Sequence, residues 1–173
     1  LSRPEMISTC VLLLNAGHEA TVHAIGNGVK TLLQSRQNMV PLMAPDQIAA
    51  TVEETLRFDP PLHMFDRIAY QDMELAGQMF RRGDRLGLLL AAANRDPAVF
   101  TDPDRFDPTR DARKQIAFGA GAHFCIGTSL AKLEVRRGLE VLFARLPDLQ
   151  LAQTPTYADR YHFHGLNRLM VTG

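Results

Sequence analysis

Three stretches of the chain carry apolar residues at helical spacing. The first covers residues 2 to about 34, with Met6, Cys10, Leu13 and Leu14 on one face. Ser2 can cap it, Pro4 suits its first turn, and Glu5 stands three after Ser2 as in a capping box. Gly17, Gly26 and Gly28 weaken its interior, so close packing or a ligand is expected beside them. The second covers residues 46–58, with Asp46 as cap, Ile48, Val52 and Leu56 on one face, and Asp59-Pro60-Pro61 as its end. The third begins at Gly127 or Thr128 and runs to about residue 146. Between the last two, residues 67–90 read as short strands with turns near Gly77 and at Gly83-Asp84. Residues 94–117 hold three Asp-Pro pairs and read as an ordered irregular segment. A loop and a terminal hairpin are expected over residues 154–173. The fold class is mainly α with small β-sheet elements.

Composition narrows the class without naming an activity. Hydrophobic content of 46% and charged content of 22% are globular values, and 173 residues suit one domain. Nineteen basic residues balance nineteen acidic ones, so charge argues for no nucleic-acid partner. The longest apolar run, residues 10–14, is far below membrane length, and Leu1-Ser2-Arg3-Pro4 does not read as a signal peptide. Two cysteines make no disulfide framework, and the chain reads as cytoplasmic.

The chemistry concentrates in residues 118–127, Phe118-Gly119-Ala120-Gly121-Ala122-His123-Phe124-Cys125-Ile126-Gly127. Glycines let this backbone turn tightly and approach a flat ligand. A thiolate on such a turn, followed at once by a helix, suits an axial ligand for haem iron. Other readings of Cys125 are a buried small hydrophobe, a zinc site with His123, His162 and His164, and a disulfide to Cys10. The pattern F-x-x-G-x-H-x-C-x-G resembles the Cys-ligand loop of the cytochrome P-450 monooxygenases at each fixed position.

That resemblance gives other residues meaning. Glu54-Thr55-Leu56-Arg57 alone is a common helix pair, but Pro103-Asp104-Arg105-Phe106 and the Cys loop follow it in the family's order. The resemblance implies that Glu54, Arg57 and Arg105 form a structural network bracing the loop. It also implies that Arg67 and His123 meet haem propionates, where cationic and donor groups are needed. Ala16-Gly17-His18-Glu19-Ala20-Thr21 resembles the family's dioxygen groove, in which an acid is followed directly by Thr. Glu19 matches the acid. Ala20 departs from the usual Thr, and Thr21, one helical step on, points about 100° away. A substrate hydroxyl or ordered water would then replace the alcohol in proton delivery.

Cofactor-binding positions implied are Ala16, Gly17, Arg67, Phe118, Gly119, His123, Cys125 and Gly127, with Cys125 the metal ligand. Arg113, Lys114, Lys132, Arg136 and Arg137 flank the thiolate side and suggest docking of an acidic electron donor, with Arg110 nearby. An ordinary solvated face explains the same charges. His18, His23, His63, His162 and His164 carry no ligand spacing.

The resemblance covers nearly the whole chain and corresponds to the C-terminal part of a soluble bacterial member, with the N-terminal portion absent. It implies haem b, a small organic substrate, insertion of one oxygen atom, and NAD(P)H electrons through a ferredoxin- or flavodoxin-like donor. The alternative is a truncated, non-catalytic haem- or gas-binding module or an inactive remnant. An isolated part should also expose apolar surface on the groove helix.

Overall fold

The structure is a computed structural model that describes every residue except Arg36 and Tyr161. The capping box at the start of the chain forms. Ser2 N donates to Glu5 Oε2 at 2.7 Å, and Glu5 N donates to Ser2 Oγ at 3.4 Å. From there α1 runs through Arg3–Ser35. A short helix α2, Met39–Leu42, follows and contains Pro41. Helix α3 occupies Ile48–Phe58. Asp46 does not cap it. The chain enters α3 through a turn in which Gln47 N and Ile48 N both donate to Ala44 O at 2.9 Å.

Among the described residues, three two-stranded antiparallel sheets follow. Strand β1, Met64–Ile68, pairs with β4, Arg85–Leu89. Between them β2, Met73–Leu75, and β3, Gln78–Phe80, form a hairpin whose turn residues Ala76 and Gly77 have positive φ. Strand β1 starts three residues before the expected Arg67, which lies inside it opposite Leu86. Leu90 opens the short helix α4, Leu90–Ala93, rather than ending a strand. After the Asp-Pro segment, α5 spans Thr128–Arg145. The terminal pairing begins earlier than residue 154: β5, Gln150–Leu151, pairs with β6, Val171–Thr172. A further antiparallel bridge joins Tyr157 and Leu166.

The core lies where α1, α3 and α5 meet. Ala24, Val29 and Leu32 of α1 pack with Ile48, Val52 and Leu56 of α3 and Val135, Leu139 and Phe143 of α5. Leu32, Ile48 and Leu139 have no exposed surface, and each contributes roughly 1.5–3 kcal/mol by leaving water. The first half of α1 takes no part in this core. Residues 1–18 are exposed, and Met6, Ile7, Val11, Leu12, Leu13 and Leu14 each keep more than half of their surface open. The apolar face read from Met6, Cys10, Leu13 and Leu14 therefore exists but covers nothing among the described residues. No helix of the described residues is long and apolar enough to cross a membrane.

Candidate functional site

The brace comes first, because it sets the path of everything between α3 and α5. Glu54 and Arg57 lie one turn apart on α3, and neither has any exposed surface. Arg57 Nε donates to Glu54 Oε2 at 2.7 Å, and a second guanidinium nitrogen donates to Oε1 at 2.9 Å. The remaining donors reach the irregular segment, to Asn94 O at 2.8 Å, Pro103 O at 2.9 Å and Arg105 O at 3.3 Å. Every face of the buried guanidinium thus meets an acceptor, as a buried charge requires. Asn94 passes the constraint on, since its Oδ1 accepts from Ile116 N at 2.8 Å, two residues before the loop.

Arg105 does not complete this network as the resemblance implied. Its side chain is 68% exposed and pairs with Asp107 at 2.7 Å. Arg105 contributes its carbonyl instead. The cation beside Glu54 is Arg110, 11% exposed with Nε 3.5 Å from Glu54 Oε1, while Asp107 N donates to the same oxygen at 2.8 Å. Arg110 also donates to the carbonyls of Thr101, Asp102 and Arg105. It turns inward and does not belong to a surface patch. Arg95 pins the same segment by donating to Phe58 O at 2.7 Å and to Asp104 Oδ1 at 2.7 Å.

The loop that follows carries the thiol. Gly119 and Gly121 sit at φ +73° and +70°, in the left-handed region that disfavours other residues. They bracket the turn into a single 3₁₀ turn at Gly121–His123. Cys125 N donates to Phe118 O at 3.0 Å and closes the loop. Thr128 Oγ1 donates to Cys125 O at 2.7 Å, where α5 begins. The helix start presents unpaired N–H groups and favours negative charge nearby. Cys125 is exposed, as are Phe124 and Ile126, at 53% and 93%. A methyl at Gly127 would lie 3.8 Å from Cys125 Sγ, in ordinary contact. An exposed thiol on an apolar-rimmed loop with two left-handed glycines fits a flat ligand bound through sulfur. It does not fit a buried hydrophobe. Both cysteines are free, so Cys10 and Cys125 form no disulfide. Cys125 joins none of the potential metal-ligand groups of three or more His, Cys, Asp or Glu among the described residues. His162 and His164 are engaged elsewhere: His162 packs on Phe65, with ring centres 5.2 Å apart, and His164 Nε2 lies 3.1 Å from Asp59 Oδ1.

The other expected positions are placed as follows. His123 is exposed at the end of the 3₁₀ turn. Arg67 is exposed on β1 and donates to Asp66 O at 2.9 Å. Ala16 and Gly17 are exposed on α1, and no atom would lie within 4 Å of a methyl at Gly17 or Gly26. A methyl at Gly28 would make only ordinary contacts with Thr55 and Leu139. Close packing therefore does not explain Gly17 among the described residues. Glu19, Ala20 and Thr21 are half-buried one turn further on.

The basic flank is less open than its sequence suggests. Arg113 pairs with Asp111, Lys132 with Glu53, and Arg136 and Arg137 both with Glu140. Asp111 is held low by its hydrogen bonds from the Arg113 side chain and backbone. The carboxylates of Asp111, Glu53 and Glu140 leave the flank with less net charge than its count of bases, although exposed pairs of this kind hold weakly.

One cluster had no signal in the sequence. Asp59 Oδ2, just past α3, accepts from Lys30 at 2.9 Å and Tyr157 at 2.5 Å, besides the His164 contact on Oδ1. Burial pushes the Asp59 carboxyl up, but His164, Lys30 and Tyr157 outweigh it and hold the group at about 2. Burial and Asp59 push the Tyr157 hydroxyl well above its ordinary value. The His164 ring stacks between Tyr157 and His63, at 3.7 and 3.8 Å. Burial lowers His63, and His164 beside it lowers it further. Asp59, His63 and His164 have ligand atoms close enough for a metal, but the rings do not suit one. An imidazole lone pair lies in its ring plane, and two stacked rings with centres 3.8 Å apart and planes only 22° from parallel cannot both aim a nitrogen at one ion at the distance of about 2 Å that zinc needs. Lys30 opposes a cation there as well. The cluster ties α1, α3 and the C-terminal segment together.

The sequence model of the cytochrome P450 family matches residues 18–147. The "Biotin biosynthesis cytochrome P450" of Bacillus subtilis (strain 168) is 44% identical over 174 residues, covering 99% of this chain and 44% of the relative. The "Vitamin D(3) 25-hydroxylase" of Pseudonocardia autotrophica is 43% identical over 178 residues, covering 99% and 44%. Among solved structures, P450BioI in complex with hexadec-9Z-enoic acid ligated acyl carrier protein superposes with a TM-score of 0.95. It is 44% identical and covers 99% of this chain and 45% of that one. CYP109B1 from Bacillus subtilis gives a TM-score of 0.94 at 36% identity, covering 100% and 48%. The chain thus spans less than half the length of these relatives. With the match over residues 18–147 and these shared coordinates behind the braced thiol loop, the chain belongs to the cytochrome P450 family.

Proposed function

We propose that this chain is the haem-thiolate part of a monooxygenase, with Cys125 as the axial ligand of haem iron. The observation that carries this is the exposed Cys125 on a glycine-shaped loop, held between α5 and the Glu54–Arg57 brace. Phe118, Gly119 and Gly127 would line the loop side of the haem. Ala16 and Gly17 would leave room on α1, and Arg67 and His123 would receive the propionates. Bound through a thiolate, haem supplies dioxygen activation and insertion of one oxygen atom into an organic substrate. The protein's own work is to fix the sulfur, exclude water and bring protons through Glu19. Ala20 offers no hydroxyl, so a substrate hydroxyl or an ordered water stands in for it.

Electrons would come from NAD(P)H through a ferredoxin- or flavodoxin-like protein. Its docking face would be the flank of Arg113, Lys114, Lys132, Arg136 and Arg137, with Asp111, Glu53 and Glu140 moderating the charge. Two relatives of nearly equal identity carry different substrate names, so a substrate screen starts with both. The first is an acyl chain on a carrier protein, after the ligand of the P450BioI structure, and the second is vitamin D(3). A non-catalytic haem- or gas-binding module is the second reading, and Ala20 favours it. Substrate-dependent oxygen consumption by the haem-loaded protein separates the two. Consumption matched by oxygenated product supports the monooxygenase, and haem binding with no consumption for any substrate supports the module.

A further inference from the structure

Glu19 is flanked by two groups that the family pattern does not assign. Arg160, from the C-terminal segment, donates to Glu19 Oε1 at 3.1 Å. His23, one turn along α1, has Nε2 3.7 Å from the same oxygen. That nitrogen is buried and has no hydrogen-bond partner. Leaving a buried polar atom unpaired is unfavourable, and a small rotation of Glu19 would satisfy it. The ring itself has little room to move. A methyl at Gly165 would lie 2.0 Å from His23 Nδ1, and Phe163 packs on the ring at 5.8 Å between centres. The imidazole is therefore fixed with Nε2 toward Glu19, and the flexible carboxylate is the member that can change partners.

We infer that Arg160 and His23 position the Glu19 carboxylate, with His23 as the proton-exchanging group that Ala20 lacks. This rests on the proposed role of Glu19 in proton delivery. Arg160 holds the carboxylate to the C-terminal segment. When Glu19 turns to His23, a proton on Nε2 passes to Oε1, leaving neutral imidazole and neutral acid. As the acid turns away to hand the proton onward it uncovers Nε2, and water entering from the open 18% of the side chain returns a proton to that same nitrogen. Among the described residues, the ion pairs at this site join Glu19 to His23 on α1 and to Arg160 on the C-terminal segment.

The ring-nitrogen NMR signals of His23, recorded at one pH in the protein as purified, test the positioning without relying on turnover. The Nε2 signal should move in Glu19→Gln and Arg160→Ala and return close to its original place in Arg160→Lys. An unmoved signal in Glu19→Gln overturns the inference. In the haem-loaded protein, the share of reducing equivalents lost as hydrogen peroxide should rise several-fold in Arg160→Ala and His23→Gln and be largely restored in Arg160→Lys. If Glu19→Gln raises peroxide while His23→Gln and Arg160→Ala do not, the inference fails and the role of Glu19 stands. If the NMR coupling is present but Glu19→Gln leaves peroxide unchanged, the proton-delivery reading of Glu19 fails, while the positioning contacts stand.

Discussion

Arg57 and Glu54 close a two-pronged ion pair, 2.7 and 2.9 Å, with no exposed surface on either side chain. Arg57 spends its other donors on three backbone carbonyls more than thirty residues away in sequence. Removing either partner leaves a buried charge uncompensated. Glu54→Gln or Arg57→Leu should therefore cost about 3–5 kcal/mol, read by chemical denaturation. Arg105→Ala should cost below about 0.5 kcal/mol, because its side chain is on the surface and only its carbonyl is used. Arg110→Ala should fall between them. An Arg105→Ala loss matching that of Arg57→Leu would contradict the network described here.

Asp59 gives a pH dependence of defined sign. Folded Asp59 is held at about 2 against an ordinary 3.8. As pH falls, the unfolded chain takes up this proton first, so the stability it contributes is full above about pH 4 and fades toward pH 2. The shift corresponds to roughly 2 kcal/mol. Asp59→Asn should be less stable than the parent by at least about that amount at neutral pH, since Lys30 also loses its partner. The gap between the two proteins should narrow between about pH 4 and pH 2. A gap that stays constant through that range would show that the carboxylate is not what holds the cluster.

How much of this was legible depends on how far apart in sequence the partners stand. The Ser2–Glu5 capping box and the Ile48, Val52, Leu56 face are local, and the structure shows both. Asp46 misled because Pro45 and Asp46 sit in a turn hydrogen-bonded to Ala44, which takes over the helix start. Arg105 and Arg110 look alike in sequence. Which of them turns inward follows from the path of the irregular segment, and no local pattern encodes that path. Lys30, Asp59, His63, Tyr157 and His164 meet only because α1, α3 and the C-terminal segment converge, and no spacing rule reaches across such distances. The thiol loop was readable because glycines with left-handed φ, the cysteine and the helix start lie within ten residues.

The loop glycines carry a separable prediction. Gly119→Ala places a side chain at φ +73° and should cost roughly 1–2 kcal/mol. Gly77→Ala does the same at φ +77° in the β2–β3 turn, where no atom lies within 4 Å of the added methyl. Both variants should lose similar stability in denaturant titrations. Only Gly119→Ala should also weaken haem binding, measured by titration of haem into each protein. Equal haem affinity in the two variants would detach the loop's shape from the cofactor.

The central claim is that Cys125 binds haem iron as a thiolate, and the reduced carbon-monoxide spectrum of the haem-reconstituted protein tests it most directly. A Soret band at the strongly red-shifted thiolate position is expected in the parent protein and is expected to be lost in Cys125→Ala, with the band unchanged in Cys10→Ala. A band typical of histidine-ligated or unligated haem in the parent, or a red-shifted band that survives Cys125→Ala, would contradict it.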